Sequence, residues 1–299
     1  MAKPPLPLRI GALALAAIAL TTPLPLAAAG ARSPEETLRI ELDMASRQRL
    51  LSQRVISAAC LLSLGLDPST QELALVEAHD IFAATLDQLE QGSPAMQLPP
   101  VSDPVVRSTI TQARLAWAPV STVIDEILAG DAGAERIGAL AAAEPALLTA
   151  SLNLVAALGA TGAQDPTRAA EARALDMAAR QRSLSQAVMK EACLITAAGI
   201  ARIDPAPHVT ALNTRVTMFE DSAGTLRGGD PDLGIAPPPG PDAETALDTV
   251  QETWQDMRGM LNPALEGQPM DLDTLEDLAR DYELLLPQLE DVVWFYVNR

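Results

Sequence analysis

The chain has 299 residues, of which 48% are apolar and 3% aromatic, and its formal net charge is −18. The length and apolar content are sufficient for two ordinary domains, and the scarcity of aromatic and β-branched runs favours helices over strands. A surface with this charge repels nucleic acid and anionic lipid, which argues against both as partners.

The N-terminal residues 1–31 have the pattern of an export signal. Lys3 and Arg9 form a basic start, residues 10–20 form an apolar run, and residues 27–29 are three alanines suited to cleavage. The run is shorter than the roughly 20 residues that a transmembrane helix needs, and an uncleaved anchor is the alternative. We expect no membrane-spanning helix later in the chain. The sequence therefore predicts an exported, periplasmic protein.

Capping residues and prolines predict eight helices in two rounds of four. Ser33 and Glu36 form a capping box around Pro34, and most of the later starts carry a proline near the first helical position. The expected helices cover about 34–64, 68–92, 104–130 and 132–158, then about 165–198, 205–228, 242 onward, and 271 to the end. Two proline-rich loops, 93–101 and 228–241, interrupt the rounds at matching places.

The two rounds predict an all-α fold made of two tandem antiparallel four-helix bundles. Long helices joined by short connections pack as antiparallel neighbours. We place the bundles at residues 32–160 and 161–299. The linker between them, 159–164, is short, so we do not expect the bundles to be independent.

The first helix of each round carries nearly the same twenty residues. LDMASRQRLLSQRVISAACL at 42–61 and LDMAARQRSLSQAVMKEACL at 175–194 share 14 residues at a constant offset of 133. The string Arg-Gln-Arg-x-Leu-Ser-Gln in both copies resembles the signature of the PilJ-type domain. This domain is the N-terminal sensory module of type IV pilus methyl-accepting chemotaxis transducers. The string is also similar to the periplasmic sensor of nitrate- and nitrite-responsive histidine kinases.

The resemblance implies a ligand and two residues that would bind it. In the nitrate-sensing relatives, two subunits place their first helices side by side, and one arginine from each binds a single nitrate. That role falls on Arg49 in the first copy and on Arg182 in the second. A tandem repeat would then form, within one chain, an internal pseudo-dimer of the kind that the relatives form from two subunits.

The helical periodicity gives the same two arginines a second interpretation. They lie in the middle of a stripe of small and apolar residues, well away from the stripe that faces each bundle's own core, so we expect this second stripe to contact another helix. A buried guanidinium needs an anionic partner, which is either an acidic side chain of the same bundle or a bound anion. Ser52 and Ser185 are either additional anion donors or small interface residues.

Neighbouring polar residues have less specific interpretations. We expect Gln48 and Gln181 to form helix-packing hydrogen bonds. Arg47 and Arg180 lie beside the core stripe and should form salt bridges within their own bundle or extend to solvent.

Cys60 and Cys193 are the two cysteines of the chain, and they occupy equivalent positions. If the first helices pair about a pseudo-twofold axis, equivalent residues face each other, and an exported protein could join them in a disulfide. The alternative is a pair of buried free thiols.

The sequence contains no recognisable catalytic constellation, metal site or cofactor motif. Two functional hypotheses follow. The first is a binding or sensing module for a small anion such as nitrate or nitrite, which passes its signal to a separate, membrane-bound signalling protein because no output domain is evident. The second is a ligand-free periplasmic interaction module of a signalling or pilus system.

Overall fold

A computed structural model describes residues 32–162 and 166–298, without the side chains of 166–168. The predicted leader, 1–31, and residues 163–165 of the predicted linker lie outside the described residues. In these ranges the chain forms nine helices, and eight of them start within a few residues of the predicted starts. They are α1 (Pro34–Ser63), α2 (Pro68–Gln91), α3 (Pro104–Leu128), α4 (Ala134–Gly162), α5 (Pro166–Ala201), α6 (Ala206–Gly228), α7 (Pro241–Arg258), α8 (Asn262–Leu265) and α9 (Leu272–Val297).

The starts of the first three helices follow from local side-chain caps. The Ser33 hydroxyl accepts a hydrogen bond from the Glu36 amide, and the Glu36 carboxylate accepts one from the Ser33 amide, as the sequence predicts. The carboxylates of Asp67 and Asp103 cap α2 and α3 by accepting hydrogen bonds from first-turn amides, without the reciprocal bond, and each stands directly before a proline. These caps satisfy amide groups that have no partner within the helix.

The predicted architecture is confirmed. In the first bundle α1 packs against α2 and α4, and α3 packs against α4; in the second, α5 packs against α6 and α9, and α7 packs against α9. The largest contact between two helices in the described part of the chain joins α1 to α5. The described residues from Arg32 onward form one compact unit, so the two bundles are one body with the motif-bearing helices at its centre.

The α1–α5 contact depends on small side chains. Ala45, Ala59, Ala178 and Ala192 are all fully buried. Side chains of this size allow two helix backbones to approach closely, and the apolar area they remove from water stabilises the contact.

The two bundles also correspond outside the motif. Phe82 packs on Trp117 with ring centroids 4.0 Å apart, and Phe219 packs on Trp254 at 4.2 Å. The two proline-rich loops each contain one antiparallel bridge, Ser93 with Leu98 and Asp230 with Ile235. Residues of α2 and α3 therefore align with residues of α6 and α7 at an offset of 137.

Two features differ from the sequence-based expectation. The short helix α8 occurs only in the second round and was not predicted. In addition, α4 is long and apolar enough to cross a membrane by length and composition, although we expected no such segment after the leader. In the structure α4 packs along α1 and α3 as a bundle helix, and about a third of its most apolar stretch is buried.

Candidate functional site

The two motif arginines bind carboxylates across the α1–α5 contact. Arg49 on α1 is 2% exposed, and its Nη2 lies 2.7 Å from Oδ1 of Asp176 on α5. Arg182 on α5 is completely buried, and its Nη2 lies 2.7 Å from Oδ1 of Asp43 on α1. Asp43 and Asp176 are themselves equivalent at the offset of 133, so the two ion pairs are crossed about the pseudo-twofold axis. The sequence predicts an acidic side chain of the same bundle or a bound anion as the partner. Asp43 and Asp176 instead come from the other bundle, and Arg182 also pairs with an acidic residue of its own bundle, Glu290.

Arg182 has more partners than Arg49, although its Nε is buried without a hydrogen-bond partner. Its Nη1 donates to Oε2 of Glu290 on α9 at 2.7 Å, and its Nη2 also donates to the Ser46 hydroxyl at 2.7 Å. Burial alone would lower the pKa of Arg182, but the charges of Asp43 and Glu290 outweigh it and raise the pKa. Burial likewise acts to raise the pKa of Asp43, and the charges of Arg182 and Arg47 outweigh it and lower that pKa.

Arg49 has fewer partners, because two residues differ between the copies. The position of Ser46 is taken by Ala179 in the second copy. The buried positions 154, 155 and 158 of α4 align with 292, 293 and 296 of α9. This alignment puts Leu152, which is 43% exposed, at the position of Glu290. Arg49 therefore lacks both a hydroxyl acceptor and a second carboxylate.

The hydrogen bonding of Arg49 reflects this loss. Its Nε and Nη2 atoms are buried without a well-directed hydrogen bond, even though Nη2 is close to Asp176. Burial lowers the pKa of Arg49 more than the charge of Asp176 raises it, and the charges of Arg180 and Arg182 lower it further. The site is thus electrostatically uneven: Arg182 contacts two carboxylates and a hydroxyl, whereas Arg49 contacts one carboxylate.

The flanking arginines complete the two charge clusters. Arg47 lies 3.4 Å from Asp43 on its own helix and 2.9 Å from Glu290. Arg180 lies 3.0 Å from Asp176, one turn away on α5. The expected salt bridges within the same bundle are present for both arginines, and Arg47 also pairs with Glu290 of the second bundle, because α9 reaches across to α1.

Each cluster borders a cavity at the surface. A cavity of about 360 Å³ is lined by Asp43, Arg47 and Glu290, with exposed Trp294 at its edge. A cavity of about 280 Å³ lies at the equivalent place in the other half and reaches Asp176 and Leu42. Solvent and small solutes can therefore approach both clusters from outside.

The two motif serines use their hydroxyls locally. Ser52 donates to the carbonyl oxygen of Arg49 and Ser185 to that of Arg182, both at 2.8 Å. Both side chains are buried at the α1–α5 contact, and neither hydrogen is directed at a shared anion pocket in this structure.

The two motif glutamines behave differently. Gln181 donates from Nε2 to the carbonyl oxygen of Phe219 and to the hydroxyl of Ser222 on α6. Gln48 is fully buried, and neither its Nε2 nor its Oε1 has a hydrogen-bond partner. The predicted packing role therefore describes Gln181 and fails for Gln48.

The cysteines are joined in the structure. The Cys60–Cys193 disulfide links α1 to α5, and its Cα atoms are 6.2 Å apart, within the range that a disulfide spans. The bond lies several turns along the contact from the crossed arginines and connects the two bundles covalently.

A second buried charge cluster was not predicted from the sequence. Lys190 on α5 is 2% exposed, and its Nζ lies 2.9 Å from both Glu144 on α4 and Glu191. Glu191 also contacts Nδ1 of His208 on α6 at 2.8 Å. The available signal was a substitution inside the repeat, because Lys190 takes the place of Ser57. Among the described residues no group of three histidine, cysteine or acidic side chains is arranged to hold a metal ion.

Comparison with known proteins agrees with the repeat. A search of curated proteins finds no match. A family model described as "Type IV pili methyl-accepting chemotaxis transducer N-term" matches two segments, 41–143 and 167–279, which together make up most of the chain. Each segment begins at or before its Arg-Gln-Arg motif and extends into the last helix of its own bundle. The chain therefore belongs to the PilJ family and carries two tandem copies of its domain.

Proposed function

We propose that this chain is a helical interaction module of a signalling or pilus system, whose central contact is held together without a ligand. The observation that carries the proposal is the crossed pairing of Arg49 with Asp176 and of Arg182 with Asp43, each at 2.7 Å. In the sensing mode implied by the resemblance, two arginines need an anion between them. Here built-in carboxylates occupy that role.

Electrostatics disfavours replacing these carboxylates with a free anion. A tethered carboxylate competes as an intramolecular ligand, whose effective concentration is of the order of millimolar or higher. An anion must also approach a chain whose formal net charge is −18. At Arg182, where two carboxylates and a hydroxyl already bind, displacement is hardest.

The location and partner that we propose follow from the family. Sensory domains of this family are usually periplasmic and act in chemotaxis transducers, so we propose an exported protein that contacts a membrane-bound signalling protein. The pseudo-dimer would present to that partner a shape that other members form from two subunits.

Thermal unfolding with a panel of anions tests this proposal. We expect nitrate, nitrite and sulfate to raise the melting temperature no more than chloride does at equal ionic strength. The matched variant is Asp176→Asn, which releases the less completely paired Arg49 while retaining the fold. A nitrate-specific rise in the variant, absent in the unmodified chain, would show that the carboxylate occupies a latent anion position. A nitrate-specific rise in the unmodified chain contradicts the proposal.

A second candidate function is a small-anion sensor for nitrate or nitrite centred on Arg49. The observation in its favour is that Nε and Nη2 of Arg49 are buried without a well-directed hydrogen bond, while a cavity of about 280 Å³ reaches its partner Asp176. Arg49 presents a planar donor fork that matches a trigonal oxyanion. On this candidate, nitrate at about 100 times its dissociation constant stabilises the chain by about 2.7 kcal/mol. Arg49→Lys should abolish the effect and Arg182→Lys should reduce it less.

A further inference from the structure

A small cavity lies inside the second bundle, among α5, α6, α7 and α9. Its volume is about 80 Å³. The inner walls are aliphatic and buried, and are formed by Leu247, Val250, Leu289 and Val292. At the outer edge stand the exposed Gly224 and Arg227 and the half-buried Gln251. The cavity is therefore an apolar recess with access from the surface.

The one polar group in the inner wall is the side chain of Gln181. It is 1% exposed, and its Nε2 donates to the carbonyl oxygen of Phe219 and to the hydroxyl of Ser222. These two bonds fix the orientation of the amide, so that its Oε1 is the free end. Among the described residues nothing donates to Oε1. A buried acceptor without a donor is costly, and a bound molecule that supplies an N–H or O–H removes that cost.

The first bundle shows what creates the recess. The aligned aromatic pairs place Ala223 at the position of Leu86, which is fully buried in the first bundle. Replacing leucine by alanine removes three carbon atoms at this point. A side chain is also missing next to it, because Gly224 takes the place of Asp87, and a Cβ added at Gly224 would meet no atom within 4 Å apart from the adjoining backbone of its own helix.

The entrance differs between the copies as well. In the first bundle Arg114 lies 2.7 Å from Asp87 and 2.9 Å from Glu90, and these pairs close the gap between α2 and α3. Their counterparts in the second bundle, Gln251, Gly224 and Arg227, cannot form such a closure. The second copy has therefore lost both the filling side chain and the ionic closure.

We propose that this recess is a binding site for a small neutral aliphatic molecule that carries an N–H or O–H donor, such as a primary amide or an alcohol. The donor binds Oε1 of Gln181, and the aliphatic part packs against the walls around Val250 and Leu289. The ligand is neutral because no charged side chain faces the inner walls, and Arg227 at the edge is already paired with Asp248. A cavity of about 150 Å³ holds benzene, so about 80 Å³ fits on the order of three to five heavy atoms.

Propionamide and N,N-dimethylformamide provide a matched pair of probes, because they are isomers and only propionamide has N–H donors. Each is titrated into the unmodified chain with ¹³C-labelled methyl groups and followed by NMR. Propionamide should shift the methyl signals of Val250 and Leu289 with a dissociation constant on the order of millimolar, as expected for so few atoms. N,N-dimethylformamide should bind at least tenfold more weakly. Equal binding of the two overturns the role of Gln181, and no binding of either overturns the site.

Two substitutions on α6 locate the binding. Ala223→Leu restores the residue of the first bundle, fills the recess and should abolish the propionamide shifts. Thr217→Leu adds similar bulk at an exposed position of the same helix and should leave them unchanged. Binding that survives Ala223→Leu overturns the assignment. If Ala223→Leu does not fold, the site is tested in the unmodified chain. Nuclear Overhauser contacts from the propionamide methyl group to Val250 or Leu289 would support the site, and their absence overturns it. None of these outcomes depends on anion binding at Arg49.

Discussion

Arg182 and Arg49 occupy equivalent positions in the repeat, yet Arg182 binds two carboxylates and a hydroxyl while Arg49 binds one carboxylate. The difference originates in Glu290 and Ser46, which have no polar counterparts in the other half. Two identical side chains in matched backbone positions thus contribute unequally to the same contact.

The first prediction concerns this inequality. Arg182→Met should lower the free energy of unfolding by about 3–5 kcal/mol, because it leaves Asp43 and Glu290 without their buried cation. Arg49→Met should cost about half as much, because a single carboxylate, about a quarter exposed, loses its partner. Urea denaturation of both variants measures the two losses. Equal losses would contradict the ranking that the hydrogen bonds imply.

The second prediction concerns the disulfide between α1 and α5. Reducing Cys60–Cys193 should destabilise the chain by about 2–5 kcal/mol, since the bond closes a loop of more than a hundred residues. Thermal unfolding with and without a thiol reductant measures the change. The double variant Cys60→Ser, Cys193→Ser serves as the control and should be insensitive to the reductant. A reductant effect of the same size in that variant would mean that it does not act through this bond.

The third prediction concerns the buried Lys190. A double-mutant cycle of Lys190→Met and Glu144→Gln should give a coupling energy of about 1–3 kcal/mol, because the pair is almost completely removed from water. The exposed pair Arg280–Asp277 is the matched control, with side chains 65% and 60% exposed. Its coupling should stay below about 1 kcal/mol. Similar couplings for the two pairs would refute a structural role for the buried lysine.

The fourth prediction concerns pH. Burial raises the pKa of Glu41 on α1 to about 7 from an ordinary value of 4.5. Between these two values the folded chain holds a proton that the unfolded chain releases, so this residue makes stability fall as the pH rises through that range. Glu41→Gln should therefore stabilise the chain at pH 8, by about 1 kcal/mol after allowance for partial exposure, and leave it unchanged at pH 4. Urea denaturation at the two pH values measures this, and a gain that is equal at both would contradict it.

The helices could be predicted closely because their signals are local. Ser33, Asp67 and Asp103 each stand before a proline and cap the helix that follows. The constant offset of the repeat identifies which residues of the two bundles are equivalent. The second stripe of small residues correctly indicated that α1 contacts a further helix, and the family resemblance implied that this helix is α5. The very short α8 has a proline in its first turn but no capping side chain, and it is too short to show periodicity, so the sequence marked it only weakly.

The partners of the arginines were harder to predict because they depend on distance in space. Asp43 lies six residues before Arg49 on the same helix, which suggests no contact, and its actual partner Arg182 is 139 residues away in the sequence. Helical periodicity shows which face is buried but not which atoms meet on it. The contact of Glu290 with this cluster could not be predicted for the same reason, since Glu290 lies on the last helix of the chain.

The covalent linkage of the two bundles has a consequence for how this protein can change. In a homodimer, every mutation changes both sides of the subunit contact at once, and the dimer dissociates on dilution. Here each half mutates alone, and dilution cannot separate them. Three equivalent positions of the repeat show such changes in one half only: Lys190 takes the place of Ser57, Glu290 that of Leu152, and Ala223 that of Leu86. Because both bundles belong to one chain, one bundle can maintain the fold of the pair while the other acquires substitutions that give it a different function.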